Sequence, residues 1–353
     1  MSPMFVTLVS VVVVMSVGLS MLWTPRLTRP GLWFAVTVDR SFAASSEAQG
    51  ILRTYRRTVW LALGAGLAVV AAALLTRDPG LATTAPFLVL AGSIAAFLRA
   101  RRRALAHAAP GDGIREAELT RRQEALPGGV VAQVGPFALL AAAAAWVGAR
   151  WSELPARFPI HWDLQGQPNG WATRSLTGVF GPVVVGAGVC ALLGLLALAL
   201  RARSRRVSVS GAPGDAELRF RRTVLAVFLG AEYLIAVTFA AVTALPVLHA
   251  PGAVASLVLV LTVVVTIGGT VALIRLGQGG ARLVDGSGPA GDRTLDAHWR
   301  WGMFYVNRAD PALFVEKRFG IGYTVNLGNR WAWVFLAGSL VPFALSLLLR
   351  AGA

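Results

Sequence analysis

Eight long apolar runs divide the chain, at residues 4–23, 59–75, 81–98, 128–148, 176–200, 223–248, 254–276 and 331–349. Each is close to the ~20 residues an α-helix needs to cross a hydrocarbon core of about 30 Å. Lipid offers no partner to a backbone N–H or C=O, so such runs satisfy themselves as helices. The pattern therefore predicts an all-α polytopic membrane protein with about eight transmembrane helices. Small residues recur within the runs, at Gly64/Gly66, 141–145, Gly181, Gly186/Gly188 and Gly268/Gly269, where they let helix backbones approach closely. Pro86, Pro136, Pro182, Pro246 and Pro342 predict kinks or interrupted turns.

The connections differ in kind. Residues 24–58 carry the apolar patch Leu32-Trp33-Phe34 and then a basic helix-like run at 51–57, a combination expected to lie in the head-group layer. Residues 99–127 suit a short solvated helix capping the third span, and 201–222 and the Gly/Ser/Pro-rich 277–291 read as flexible connectors. By contrast, 292–330 alternates like short strands: 303–306, a turn at 307–311, and 313–325 interrupted by Gly320 and Gly322. This predicts a small β-rich module before the last helix. The expected division is 1–150, the first four helices; 151–200, a motif loop with the fifth helix; 201–276, the sixth and seventh; 277–330, linker and module; and 331–353, the last helix.

Composition and charge turn this pattern into a topology. The chain is 56% hydrophobic and 14% charged, with a formal charge of +16 over 353 residues. Odd-numbered connections, counted with Arg275 at the end of the seventh run, hold 28 of the 33 Lys/Arg; the even-numbered ones and the tail hold only Arg77, Arg150, Arg157, Arg174 and Arg350. Basic residues mark the cytoplasmic side. Both termini are thus expected outside, and the excess positive charge is expected to meet the lipid bilayer rather than nucleic acid. Met1–Met4 lacks a basic n-region, so the first run does not read as an ordinary signal peptide. A single cysteine, Cys190, rules out an intrachain disulfide and a Cys-based metal site.

The polar chemistry concentrates in three places. The first is the outward loop 154–171, "LPARFPIHWDLQGQPNGW". Its prolines and glycines, with the turn signal Asn169-Gly170, argue for a rigid turn. In an extended segment His161 and Asp163 share a face opposite Trp162. Three readings stay open: His161 bonding loop backbone beneath interfacial tryptophans, a recognition surface of His161, Trp162, Asp163, Asn169 and Trp171, or a weak metal site of His161, Asp163 and His249 with Glu153. No cofactor is expected. The second place is Glu232, the only acid inside a run. An acid at that depth either sits neutral beside Tyr233 or Gln133, or lines a proton path with Gln133. The third is the module, whose Trp299, Tyr305, Asn307, Asp310, Lys317, Arg318 and Asn326 are expected to form a cytoplasmic surface toward a partner or lipid, with Arg308. Gly320-Ile321-Gly322 lacks the context of a phosphate loop. No nucleophile–base pair is apparent, so an enzyme is not expected.

The outward loop resembles the short domain of unknown function that precedes the membrane segment of SdpI-type bacterial immunity proteins. Leu154, Pro155, Pro159, His161, Trp162, Gly166, Pro168 and Trp171 fit that pattern, while Ile160, Asp163, Asn169 and Arg174 replace its usual Thr, Asn, Asp and Lys. A second stretch, "DRTLDAHWRWGMFYVNRADPALFVEKRFGIGYTVNLGNR", is similar to a small domain of unknown function often fused to such proteins. It fits at Trp299, Gly302, Tyr305, Asn307, Asp310, Pro311, Val315, Arg318, Gly320, Gly322, Tyr323 and Asn326. These resemblances imply a bacterial inner-membrane sensor or immunity-like protein. It would meet a peptide or small ligand outside and signal to, or sequester, a cytoplasmic transcriptional regulator. The alternative is a proton-linked transporter or the membrane subunit of a multicomponent exporter.

Overall fold

A computed structural model of the chain describes residues 3–109, 125–162, 168–204, 211–284, 292 and 294–351. Its helices are α1 (Pro3–Trp23), α2 (Ser46–Thr76), α3 (Pro79–Ala104), α4 (Gly129–Gly148), α5 (Leu176–Arg203), α6 (Gly211–Leu248), α7 (Pro251–Leu276), α8 (Arg330–Gly338) and α9 (Val341–Ala351). Among the described residues, eight helical stretches are long and apolar enough to cross a membrane, the eighth being α8 and α9 together. The chain is a multi-pass membrane protein.

Four of the five expected proline kinks do not break a helix. Pro86, Pro136, Pro182 and Pro246 stand inside α3, α4, α5 and α6, which run through them. The last span does break, at Ser339-Leu340, where Leu340 N–H bonds the Ala337 carbonyl and the helix restarts. Pro342 lies just past the break and has no N–H to carry the ladder across it.

The helices pack chiefly in two groups, α1–α3 and α4–α7 with α9. In the first, Val14, Leu63, Val70, Ala85 and Val89 make the core. In the second, α6 lies against α4, α5 and α7, and Leu140, Cys190 and Ala236 close its centre. α4 packs on α5 and α6.

Among the described residues, four two-stranded antiparallel sheets cap the helices. β1 (Leu32–Trp33) and β2 (Val36–Thr37) form one; β3 (Arg157–Trp162) and β4 (Pro168–Thr173) form another. In the C-terminal module, β5 (Trp299–Arg300) pairs with β6 (Phe304–Tyr305), and β7 (Phe314–Glu316) with β8 (Tyr323–Val325). Three of the sheets lie on the side of the basic connections and one, β3–β4, on the other.

On the basic side, Leu32 and Phe34 of the patch Leu32-Trp33-Phe34 are buried, Phe34 in one core with Ile51, Tyr55 and Phe97 of the helices. The run 51–57 is the first part of α2, capped by Ser45 and buried along Ile51, Leu52 and Tyr55. The stretch after α7 is no linker as far as residue 284, for Gln278, Gly279 and Gly280 are buried in a tight double turn. The short helix expected over 99–127 falls largely outside the described residues; its start, through Ala104, continues α3.

Candidate functional site

The β3–β4 hairpin grows from the ends of α4 and α5. Leu154, Phe158 and Ala172 are buried with Val147 of α4 and Val179 of α5, and Ala244 and Val247 of α6 pack beside them. Ser175 joins hairpin to helix, its Oγ accepting from Gly178 N–H at 3.0 Å. A side chain at Gly178 would press into the Thr173 carbonyl, so the joint needs glycine.

The rest of the hairpin faces outward. Trp171 is 45% exposed, with the Arg157 guanidinium 4.9 Å above its ring. Asn169 is exposed as well. Through its backbone His161 pairs with Gly170 and Trp162 with Pro168, and the register shifts at both steps. Asp163 and the side chains of His161 and Trp162 lie outside the described residues. His249 ends α6 on this same side, exposed, with Nδ1 2.7 Å from the Val247 carbonyl. Glu153 sits in an exposed turn before β3. Among the described residues, no three His, Cys, Asp or Glu side chains gather as metal ligands.

From Ser175, α5 runs 28 residues without a break, about 42 Å at 1.5 Å per residue. Its far end enters the C-terminal module directly. Leu313 N–H bonds the Arg203 carbonyl at 2.9 Å, and Ser204 bridges Phe314 in parallel fashion. Leu313 and Phe314 are buried against Ala197 and Leu200 of α5, Phe220 and Val224 of α6, and Ala332 of α8.

The module residues expected to form a surface are mostly interior. Arg318 and Asn326 have no exposed area, and Trp299, Tyr305, Asn307 and Asp310 are buried. Lys317 and Arg308 do reach the surface. Asn326 accepts at Oδ1 from the N–H groups of Asn307 and Gly328, and its Nδ2 donates to the carbonyls of Asn307, Asp310 and Ala312. Tyr305 donates its hydroxyl to Asp310 at 2.9 Å. These residues are conformational fasteners, and a buried polar group must find such partners.

Arg318 ties the module to the loop after α1. It makes two hydrogen bonds of 2.9 Å to Asp292, pairs with Asp296 and the Thr294 carbonyl, and reaches the Ala35 carbonyl at 3.3 Å. Arg101 of α3 donates to the same carbonyl. Ala35 and Phe34 form the β1–β2 turn with φ of 64° and 48°, a left-handed conformation that costs a bulky residue about 1–3 kcal/mol. Burial of Phe34, stacked 6.0 Å from Phe319, and the two arginines on the turn carbonyl hold it there.

A second tie lies nearby. Arg29 makes a two-point contact with Glu316, at 2.7 and 2.9 Å, and Gln278 exchanges two hydrogen bonds with the backbone of Gly322. Burial pushes the Glu316 carboxyl above the usual carboxylate range, and Arg29 opposes that. Burial also works against the charges of Arg29 and Arg318, yet their carboxylate partners outweigh it and hold both above the ordinary guanidinium value. Arg29, Arg101, Gln278, Asp292, Asp296 and Glu316 carried no recognisable signal in the sequence, because their pairing crosses up to 287 positions.

Glu232 is 1% exposed in the α4–α5–α6 core, facing Gly194, and its backbone carbonyl receives the Cys190 thiol at 3.4 Å. Its Oε1 has no hydrogen-bond partner among the described residues. The expected neighbours serve elsewhere. Gln133 donates to the Pro127 carbonyl at the start of α4, and the Tyr233 hydroxyl lies over Gly135.

Two family models match the chain. A domain of unknown function, DUF1648, covers residues 138–186, and a family of unknown function, DUF5808, covers residues 308–333. The first spans the end of α4, the β3–β4 hairpin and the start of α5; the second spans β7, β8 and the start of α8. No curated protein and no solved structure matches the chain.

Proposed function

We propose that the chain is a bacterial inner-membrane sensor of immunity-like type. Its β3–β4 hairpin lies outside and meets a peptide or small ligand; its basic side lies in the cytoplasm and addresses a regulator. The observation that carries this reading is the continuity of α5, which starts at the hairpin and ends hydrogen-bonded to the module. A ligand that favours one seating of the hairpin would bias the seating of the module by its differential affinity for the two. With most of the module's polar residues buried, the regulator-facing surface is the exposed rim of Arg300, Trp301, Phe304, Arg308 and Lys317.

A photo-crosslinking amino acid in place of Trp301, which is 68% exposed, tests this in living bacteria. It is expected to capture a discrete cytoplasmic protein, with a yield that changes when Trp171→Ala is added on the opposite side. Capture of nothing removes the regulator, and a yield indifferent to Trp171→Ala removes the coupling.

Glu232 favours a second reading, a proton-linked transporter or exporter subunit. A carboxyl buried among spans with a free oxygen is costly unless used. Proton flux in vesicles that Glu232→Gln abolishes would support it; flux absent from the wild-type protein would remove it.

A further inference from the structure

A half-open cavity of about 570 Å³ lies between α5, α6 and the broken last span, roofed by the outward hairpin. Val185, Val189 and Leu192 of α5, Phe239 and Val242 of α6, and Phe343 of α9 form its walls; Ile160 and Ala172 of the hairpin form its roof. Gly178 and Gly181 leave α5 without side chains just below that roof. Past the break at Ser339-Leu340, α9 packs against α5.

The chemistry of the lining is one-sided. Among the described residues, no charged one contributes to it. Of its hydroxyls, Ser339 Oγ donates to the Leu336 carbonyl at 2.6 Å and Ser346 Oγ to the Phe343 carbonyl at 2.7 Å. Thr177 Oγ1 is 3.2 Å from Ser175 Oγ. These groups are occupied by their own chain and offer a guest little but carbon surface. The volume falls within the range of about 300–1,000 Å³ of ligand pockets, and an apolar cavity stays dry and takes apolar guests. Above the roof, where hairpin meets helices, Arg157 and Arg174 are both exposed, and Glu153 is the only acid among the described residues of that connection.

We propose that this cavity holds the alkyl chain of an anionic membrane amphiphile, whose headgroup lies at the hairpin root beside Arg157 and Arg174. The walls select a hydrocarbon chain, the opening among the spans admits it from the bilayer, and the arginines favour a negative headgroup. The site stands whether or not the chain signals to a regulator.

The test uses the full chain in vesicles containing phosphatidylglycerol that bears a photoactivatable group on one acyl chain. Adducts are expected to concentrate on residues 182–192 and 339–346, several-fold above Phe87 and Val131, which are 73% and 85% exposed on other helices. Val189→Trp fills the cavity and is expected to lower those adducts several-fold while leaving labelling at Phe87 unchanged. Val185→Phe, a smaller intrusion, guards against a variant that fails to fold. Labelling spread evenly over the exposed helix faces, or indifferent to both variants in folded protein, overturns the site. Replacing the labelled lipid with its phosphatidylcholine counterpart is expected to reduce cavity adducts, a difference that Arg157→Gln with Arg174→Gln removes. Equal labelling by both lipids overturns the anionic headgroup.

Discussion

The two ends of this molecule use polar residues in opposite ways. The β3–β4 hairpin buries apolar roots, Leu154, Phe158 and Ala172, and leaves Arg157, Asn169, Trp171 and Arg174 exposed. The basic-side module does the reverse: Arg318, Asn326, Glu316 and Tyr305 are interior, and Trp301 is exposed. A helix bundle in lipid gains little from the hydrophobic effect between its spans. The module, outside the spans, is held by paired charges that join segments distant in sequence. The hairpin needs no such clamp, because two helices already fix both its ends. Polar residues at the hairpin therefore stay exposed, whereas in the module they are spent on cohesion.

The sharpest way to break this contrast is Arg318→Ala. It strands Asp292 and Asp296 without their cation, a loss of about 3–5 kcal/mol for a buried pair. Thermal unfolding in detergent is expected to fall, with new proteolytic cleavage in 292–330. An unchanged protein would mean the module is not clamped by charge.

Glu316→Gln is expected to cost less, about 1–3 kcal/mol, since the amide keeps one acceptor for Arg29. It also carries a pH signature. Burial raises the Glu316 carboxyl in the folded protein, so the folded state keeps a proton that the unfolded chain releases near 4.5. Its contribution to stability is full below that value and is lost as pH rises through the raised folded value. Comparing the stability of the two proteins across that window should show the fall in the wild type alone.

Gly178→Ala probes the other end, where a methyl would meet the Thr173 carbonyl. A cost of about 1–3 kcal/mol is expected from overpacking, together with altered hydrogen exchange in the hairpin. Trp171→Ala is the mildest. It removes a cation–π contact worth about 0.5–1 kcal/mol at an exposed site, so melting should barely move while recognition is lost. A large drop in melting or in membrane abundance would make Trp171 a structural residue and erase the contrast.

Much of the fold was legible because lipid imposes a simple rule on sequence. Apolar runs of sufficient length must be helices, and the strands of the module followed from alternation around Phe304, Phe314 and Tyr323. Asn169-Gly170, expected to mark the turn of the hairpin, lies within β4 instead, Gly170 pairing with His161. What escaped was partnership. Arg318 was expected on a surface toward a partner or lipid; only the arrival of Asp292, Asp296 and the Ala35 carbonyl makes its burial tolerable. Nothing local in Leu32-Trp33-Phe34 reveals that Tyr55, Phe97 and Phe319 pack around Phe34.

The sequence by itself determined the number of spans, the segregation of positive charge to one side, and the presence of two polar specialities at opposite ends. These depend on the local contest between chain and solvent, which each segment settles alone. Tertiary structure alone decided which helices group together, that the loop after α1 and the module before α8 form one clamped body, and that α5 links hairpin to module. It also opened the apolar cavity beneath the hairpin. Those outcomes rest on contacts between segments far apart in the chain, set by shape and by charge pairing that no single segment encodes.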